Sequence, residues 1–454
     1  MTANPKTPLE TVTAGPGTLS WGRLRDFFAY VHRVFSLGNL LDTVRDKRKE
    51  PRVPTELIVR ILFLTGLLRI RSFNALEPKL SEPPMLRALG ALLGTNITKA
   101  CSVDVLSYSL ARMEVETVRA MNVAILEKAE RNKVFREGWH GAMRFVALDG
   151  WEPFSSRSRH CPACLTRKIQ IGKEGHKQTV TEYYHVFVVA MLLDERLDLM
   201  LDMEPVRSAD VRSELGDKDV TGHEGELTAA KRLATRLRAT YGRWLDVLVL
   251  DALYPNGPFL TLAKKLNFGV IAVLKKGNNE PLKEALSLWE GKAPDEVVVD
   301  LKKKERIELW GCQELKTLMS YDGDIRAVRG IVHKQHADTI HTWCFAVTGC
   351  ATRLSNQKVL AVGRARWHIE NTGFYQWSQY WNFAHVFTHG ENALPSLFWI
   401  FFLAFNLLQL FLYRHLRSYG RDKGKDVTRT IWRLIDEMNA DLACLHQPLA
   451  WDTS

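Results

Sequence analysis

Seven cysteines in 454 residues, an odd and mostly scattered set, do not make a disulfide framework. The expectation is a reducing compartment. The first 20 residues lack the apolar core of a secretory leader, since Thr2-Ala3-Asn4-Pro5-Lys6-Thr7-Pro8 is polar. A cytoplasmic protein is therefore expected. No Gly-rich phosphate loop occurs, so an NTP-driven reaction is not indicated. Internal repeats and low-complexity tracts are also lacking. Only the stretch from Leu397 to Tyr413 has nearly the length and apolarity of a membrane span, and Asn406 and Gln409 interrupt it. It reads as a helix buried against the sheet of a large α/β core, with no membrane partner.

What the chain does have is positive charge. The formal net charge is +11 and the isoelectric point about 9.2, which suits a polyanionic partner. Residues 1–140 hold 21 Lys+Arg against 14 Asp+Glu, so +7 of that excess lies in under a third of the chain. That segment is expected to contact DNA; the competing reading is a well-solvated basic surface. A hydrophobic content of 46% is ample for a packed core.

Three carboxylates stand in distinctive settings. Asp149 ends the apolar run Phe145-Val146-Ala147-Leu148, and Asp251 ends Val247-Leu248-Val249-Leu250. Glu370 lies far downstream in Arg364-Ala365-Arg366-Trp367-His368-Ile369-Glu370-Asn371, which reads as helix. A four-residue apolar run that stops at an acid suggests a buried strand delivering a carboxylate to a sheet edge. Seen alone, such an Asp is more often a turn former or helix cap. Together, two such strands and a helical Glu can converge three acids on one point. There they repel unless a hard divalent cation lies between them.

These residues resemble a DDE (Asp-Asp-Glu) transposase of bacterial insertion sequences, in the group whose last acid lies in a Tyr-x2-Arg-x3-Glu-x6-Lys motif. Phe145–Gly150 looks like the first-Asp strand, Leu248–Tyr254 like the second, and Arg366-Trp367-His368-Ile369-Glu370 matches the Arg-x3-Glu core. Gly363 stands where the motif has Tyr and Trp377 where it has Lys, so those two phosphate contacts do not carry over. The resemblance covers roughly residues 140 to 415. It implies Asp149, Asp251 and Glu370 as catalytic residues and as ligands of Mg2+ or Mn2+, two ions in all. It also implies double-stranded DNA as partner (terminal inverted repeats and target), a homodimer in the synaptic complex, and association with the nucleoid. Two other readings share the fold: a catalytically inactive DNA-binding protein, and a nuclease without strand transfer.

Along the chain the expectation is a disordered tail over 1–20, a helical DNA-binding domain over 21–140, and an RNase H-like core over 141–280. A β-rich insertion over 281–350, a second part of the core over 351–418 and a helical tail over 419–454 follow. The overall class is α/β, a mixed sheet flanked by helices. Within the core, strands at Arg144–Asp149, Tyr183–Leu193 and Leu197–Met203, a helix at Gly225–Tyr241, the Asp251 strand, a short helix and a strand at Val270–Leu274 give the RNase H-like order. In that order the first and fourth strands are neighbours. Ser102 is the expected N-cap of a helix through Leu110, and Lys302-Lys303-Lys304 a turn inside the insertion.

Around Glu370, Arg366 lies one helical turn earlier and could hold a DNA phosphate; a plain Arg366–Glu370 pair is the alternative. Arg364 and Trp377 are further candidates for DNA contact, Trp377 by stacking on an extruded base as against packing. A separate motif, Cys161-Pro162-Ala163-Cys164 followed by His176 and His185, has the form of a zinc knuckle, with Cys161, Cys164 and His176 as the candidate ligands. Reduced, unligated cysteines are the competing reading.

Overall fold

The computed structural model describes residues 22–94, 96–136, 139, 143–173, 176–195, 197–218, 220–275, 280–301, 304–334, 339–416 and 427–443. The expected 1–20 tail, Lys302 and Lys303 lie outside them. The chain forms two compact units, one of residues 1–132 and 376–454, the other of residues 133–375.

The first unit is helical. In Arg23–Phe35 the residues Leu24, Phe27, Phe28, Val31 and Phe35 recur at helical spacing and are buried. The apolar run from Glu56 folds as the helix Thr55–Leu67, buried almost all round. It meets the helix Ala393–Leu410 so closely that a Cβ on Gly66 would lie 2.7 Å from the Phe401 ring. Only glycine permits that approach. The Ala393–Leu410 helix, extended as far as His415, is long and apolar enough to cross a membrane, yet it is buried within the protein. Its burial differs from expectation: it packs on Thr55–Leu67 and Val115–Arg131 rather than on a sheet. The polar interruption has a local reason. Asn122 donates to the Trp399 carbonyl at 3.0 Å and pairs with Asn406 at 3.4 Å, so this buried polar group is satisfied. Ser102 does hold the N-cap position of Val103–Leu110, but its hydroxyl makes no capping bond. Instead the Glu77 carboxylate accepts from the Val103 N–H at 2.7 Å.

The second unit carries twelve described strands. These are β1 (Phe145–Trp151), β2 (Ser155–Ser156), β3 (Leu165–Ile171), β4 (Gln178–Tyr184), β5 (Phe187–Leu193), β6 (Leu199–Pro205), β7 (Val247–Leu250), β8 (Gly269–Val273), β9 (Glu296–Asp300), β10 (Glu305–Leu315), β11 (Ile325–Lys334) and β12 (Ile340–Thr348). One sheet runs β6-β5-β1-β7-β8-β12-β11-β10-β9 and a small one β2-β4-β3. β1, β7 and β8 are parallel, and β5 and β6 are antiparallel to β1 and to each other respectively. The first five core strands thus take the RNase H-like order, with the first and fourth adjacent.

The stretch 281–350, expected to be β-rich, carries β9 to β12; β12 pairs directly with β8, so these four antiparallel strands continue the central sheet. One expectation is corrected. The strand expected from Tyr183 to Leu193 is two strands, β4 and β5, which belong to different sheets. The small sheet escapes a search for alternating apolar residues because β3 buries only Leu165 and leaves Thr166, Arg167 and Lys168 exposed.

The helix Glu226–Tyr241 covers β5 and β6 through an apolar stripe of Ala229, Ala230, Leu233, Ala234 and Leu237. A buried ionic network fixes it. Arg236 grips Asp202 of β6 with two bonds of 2.8 Å and also reaches Glu204, while Arg232 joins Glu204 and Glu224 at 2.6 Å each. Asp202 is completely buried, so removing Arg236 alone would strand a charge without solvent. This clamp sets where the first turn of the helix lies, and that turn carries Glu226.

Candidate active site

Asp149 lies in β1 and Asp251 directly after β7. The parallel register pairs Phe145 with Val247 and Ala147 with Val249, and carried further it sets Asp251 opposite Asp149. Both acids therefore leave the carboxyl ends of adjacent parallel strands, where α/β sheets place their ligands. Asp246 holds this edge in register by accepting from the Arg144 N–H at 2.8 Å.

Glu370 arrives from the helix Asn356–Ala365 and the π-helical stretch Ile369–Phe374 that follows it. Such π turns recur at functional sites. Between the acids stands Arg366, itself buried, whose two terminal nitrogens hold Asp149 Oδ2 at 2.7 Å and Glu370 Oε1 at 2.8 Å. Gly363, which replaces the motif's Tyr, has a reason in packing. A Cβ there would lie 2.4 Å from the Phe345 ring of β12, so no larger side chain fits.

A fourth acid was not anticipated. Glu226 opens its helix, and its carboxylate accepts from the Tyr254 hydroxyl at 2.5 Å and from the Gly150 N–H. A Cβ on Gly150 would fall 2.4 Å from Glu226 Oε2, so the glycine after Asp149 is what admits this carboxylate. Nothing about a Glu in a first helical turn sets it apart in sequence, because the helix dipole favours an acid there in any protein. The glycine following Asp149 was the one available signal.

The electrostatics follow from this crowding. Burial pushes the Asp149 carboxyl up to about 7; Arg366 opposes the rise, and the charges of Glu370, Asp251 and Glu226 add to it. Burial raises Glu226 as well, with a further contribution from Asp251. Four carboxylates with one guanidinium among them form an oxygen-only, charge-deficient donor set, which fits a hard divalent cation.

The remaining candidates separate. Arg364 bridges to Glu305 at 3.1 and 3.3 Å and lines a cavity of about 630 Å³ with Trp139, Asp300, Gln357 and His368. Trp377 does not face solvent: it is fully buried, packed edge-on against Phe402 at 4.6 Å and Phe405 at 5.8 Å. That geometry rules out base stacking for it in this fold. The tryptophan that is open on this segment is Trp367, 41% exposed. In the knuckle, Cys161 and Cys164 do come together, but with His185 and not His176. His176 lies in the β3–β4 turn, and seven residues of strand put that turn about 20 Å from the cysteine end.

Residues 209–407 match the family model for the transposase DDE domain. That stretch is under half of the chain, and over it the protein is similar to the DDE domain of transposases. The match includes Glu226, Asp251 and Glu370 and begins after Asp149. No curated protein matches the chain. Among solved structures, a piggyBac transposase synaptic complex with hairpin DNA is similar at 12% identity and a TM-score of 0.39, over 95% of this chain and 83% of that one. That likeness is too distant to bear on the site.

Proposed function

We propose that this protein is a transposase that cleaves DNA at the ends of its own element and joins the freed 3′ ends to target DNA, with Asp149, Asp251 and Glu370 as the catalytic carboxylates. The observation that carries the reading is the convergence of these acids at the carboxyl ends of β1 and β7, around an Asp149 that burial and its acidic neighbours hold near neutrality. Mg2+ or Mn2+ bound among them, two ions in the full site, would supply activation of water or of a 3′-hydroxyl and stabilisation of the departing 3′-oxygen.

The protein's own groups do the positioning. Asp149, coupled electrostatically to both neighbouring acids, would hold metal together with Asp251 and Glu370. Glu226, fixed by Tyr254 and Gly150, stands beside Asp149 as an additional carboxylate. Arg366 acts as a positioning residue that orients Asp149 and Glu370. Trp367 is the aromatic side chain placed to meet DNA beside Glu370. The basic segment 1–140 supplies sequence-independent attraction to the duplex, and two element ends require at least two protomers in the synaptic complex.

The test uses the full chain, Mg2+, and labelled DNA carrying the inverted repeats that flank its gene. Cleaved ends and joined products together support the reading. Cleavage without joining favours a nuclease, and binding without cleavage a DNA-binding protein of the same fold; either result overturns it.

A further inference from the structure

The knuckle at the end of the small sheet lies outside the carboxylate site. Cys161 and Cys164 bracket a tight turn in which the Cys164 N–H donates to the Cys161 carbonyl at 3.0 Å and the Cys161 N–H donates to Cys164 Sγ at 3.3 Å. Ser208 donates its hydroxyl to the Pro162 carbonyl at 2.6 Å and so pins the turn to the segment after β6. His185 sits between β4 and β5, where the small sheet ends and the central sheet resumes. Cys164 and His185 are both buried, at 5% and 6% exposure.

The distances among the three donor atoms are specific. Cys161 Sγ and Cys164 Sγ are 3.7 Å apart, and His185 Nε2 is 3.6 Å from the first and 3.4 Å from the second. Zinc bonds of about 2.3 Å to sulfur and about 2.0–2.1 Å to nitrogen, at tetrahedral angles, give S···S edges of about 3.8 Å and S···N edges of about 3.6 Å. The three atoms thus already occupy three corners of a zinc tetrahedron. A disulfide would need the sulfurs at about 2.0 Å.

We propose that Cys161, Cys164 and His185 bind a structural Zn2+, with a fourth ligand completing the tetrahedron. The ion ties the knuckle to the first residues of β5, where Phe187 pairs with Trp151 and Val189 with Asp149. It therefore anchors the small sheet, whose own core is thin, directly beside the catalytic end of β1. Small sheets with little to bury commonly rely on such staples.

The experiment measures metal content of the purified full chain, kept reduced, saturated with Zn2+ and freed of unbound ion. Wild type should retain stoichiometric zinc, Cys164→Ser and His185→Ala should lose it, and His176→Ala should keep it. Replacing zinc with Co2+ in wild type should give the visible bands of tetrahedral cobalt and a thiolate-to-cobalt charge-transfer band, a readout that does not depend on any variant folding. Wild type without zinc, cobalt spectra lacking thiolate ligation, zinc loss in His176→Ala with retention in His185→Ala, or a Cys161–Cys164 disulfide in the reduced protein would each overturn the assignment.

Discussion

Asp149→Asn removes the charge that the active site holds at greatest cost, so in metal-free buffer it should stabilise the fold. The sign comes from proton linkage. An Asp in the unfolded chain gives up its proton near 3.8, whereas Asp149 in the fold gives it up near 7. Between those values the fold keeps a proton that the unfolded chain has lost, so the stability from this group is fully present below 3.8. It falls as pH rises, by about 1.4 kcal/mol per pH unit, until Asp149 itself ionises near 7. The whole window corresponds to at most about 4 kcal/mol. Residual solvent at a side chain 17% exposed reduces it, to about 2–4 kcal/mol. Asn mimics the protonated acid, does not titrate, and leaves Arg366 its bond to Glu370. In EDTA at pH 8.5 the variant should therefore unfold at higher urea than wild type, and at pH 5 the gap should shrink by most of its size. Saturating Mg2+ should reverse the order, because only wild type offers the metal its carboxylate. A variant less stable than wild type in EDTA at pH 8.5, or a gap that does not change with pH, would refute this account of the site.

Three further outcomes are expected. Gly150→Ala should expel Glu226 from its place and, like Glu226→Gln, raise the Mg2+ concentration needed for cleavage while leaving the far-ultraviolet circular dichroism unchanged; an unaltered Mg2+ titration for both would remove Glu226 from the site. Trp377→Ala should cost about 3–5 kcal/mol in urea unfolding, as expected for a fully buried aromatic, with DNA affinity of the folded protein intact; selective loss of DNA binding would restore a base-stacking role. DNA affinity of the full chain should fall steeply between low and moderate salt as released counterions lose their advantage, and a flat dependence would assign the basic N-terminal segment to packing.

The parts of the fold that announce themselves in sequence are those whose burial is complete. Phe145–Leu148 and Val247–Leu250 are continuous apolar runs because parallel strands are covered on both faces, and each delivers its Asp where expected. The strands β2 to β4 were illegible since their side chains are mostly solvated. The helix Ala393–Leu410 was legible as buried, but not against what: an all-round apolar helix fits a sheet or a helical bundle equally well. The chain leaves the second compact unit at Tyr375. At the site, the strand-end positions of Asp149 and Asp251 were readable from their apolar runs. Glu226 was not, because its role depends on Gly150 in β1, with five further strands between the two in the chain. Arg366 and Trp377 were located correctly, but sequence could not say that one faces two carboxylates and the other an aromatic core. His185 lost to His176 because a strand's length, and not its proximity in sequence, decides which histidine meets Cys161 and Cys164.

The central claim is that Asp149, Asp251 and Glu370 act as one catalytic unit. The direct measurement is cleavage of an element-end DNA in Mg2+ by wild type and by Asp149→Asn, Asp251→Asn and Glu370→Gln, with DNA affinity determined for each. Each substitution keeps side-chain volume and removes one negative donor, so binding should survive while cleavage disappears. Groups that work as a unit are strongly non-additive, so combining two of the changes should lower the residual rate no further. Cleavage by Asp251→Asn at close to the wild-type rate would contradict the claim.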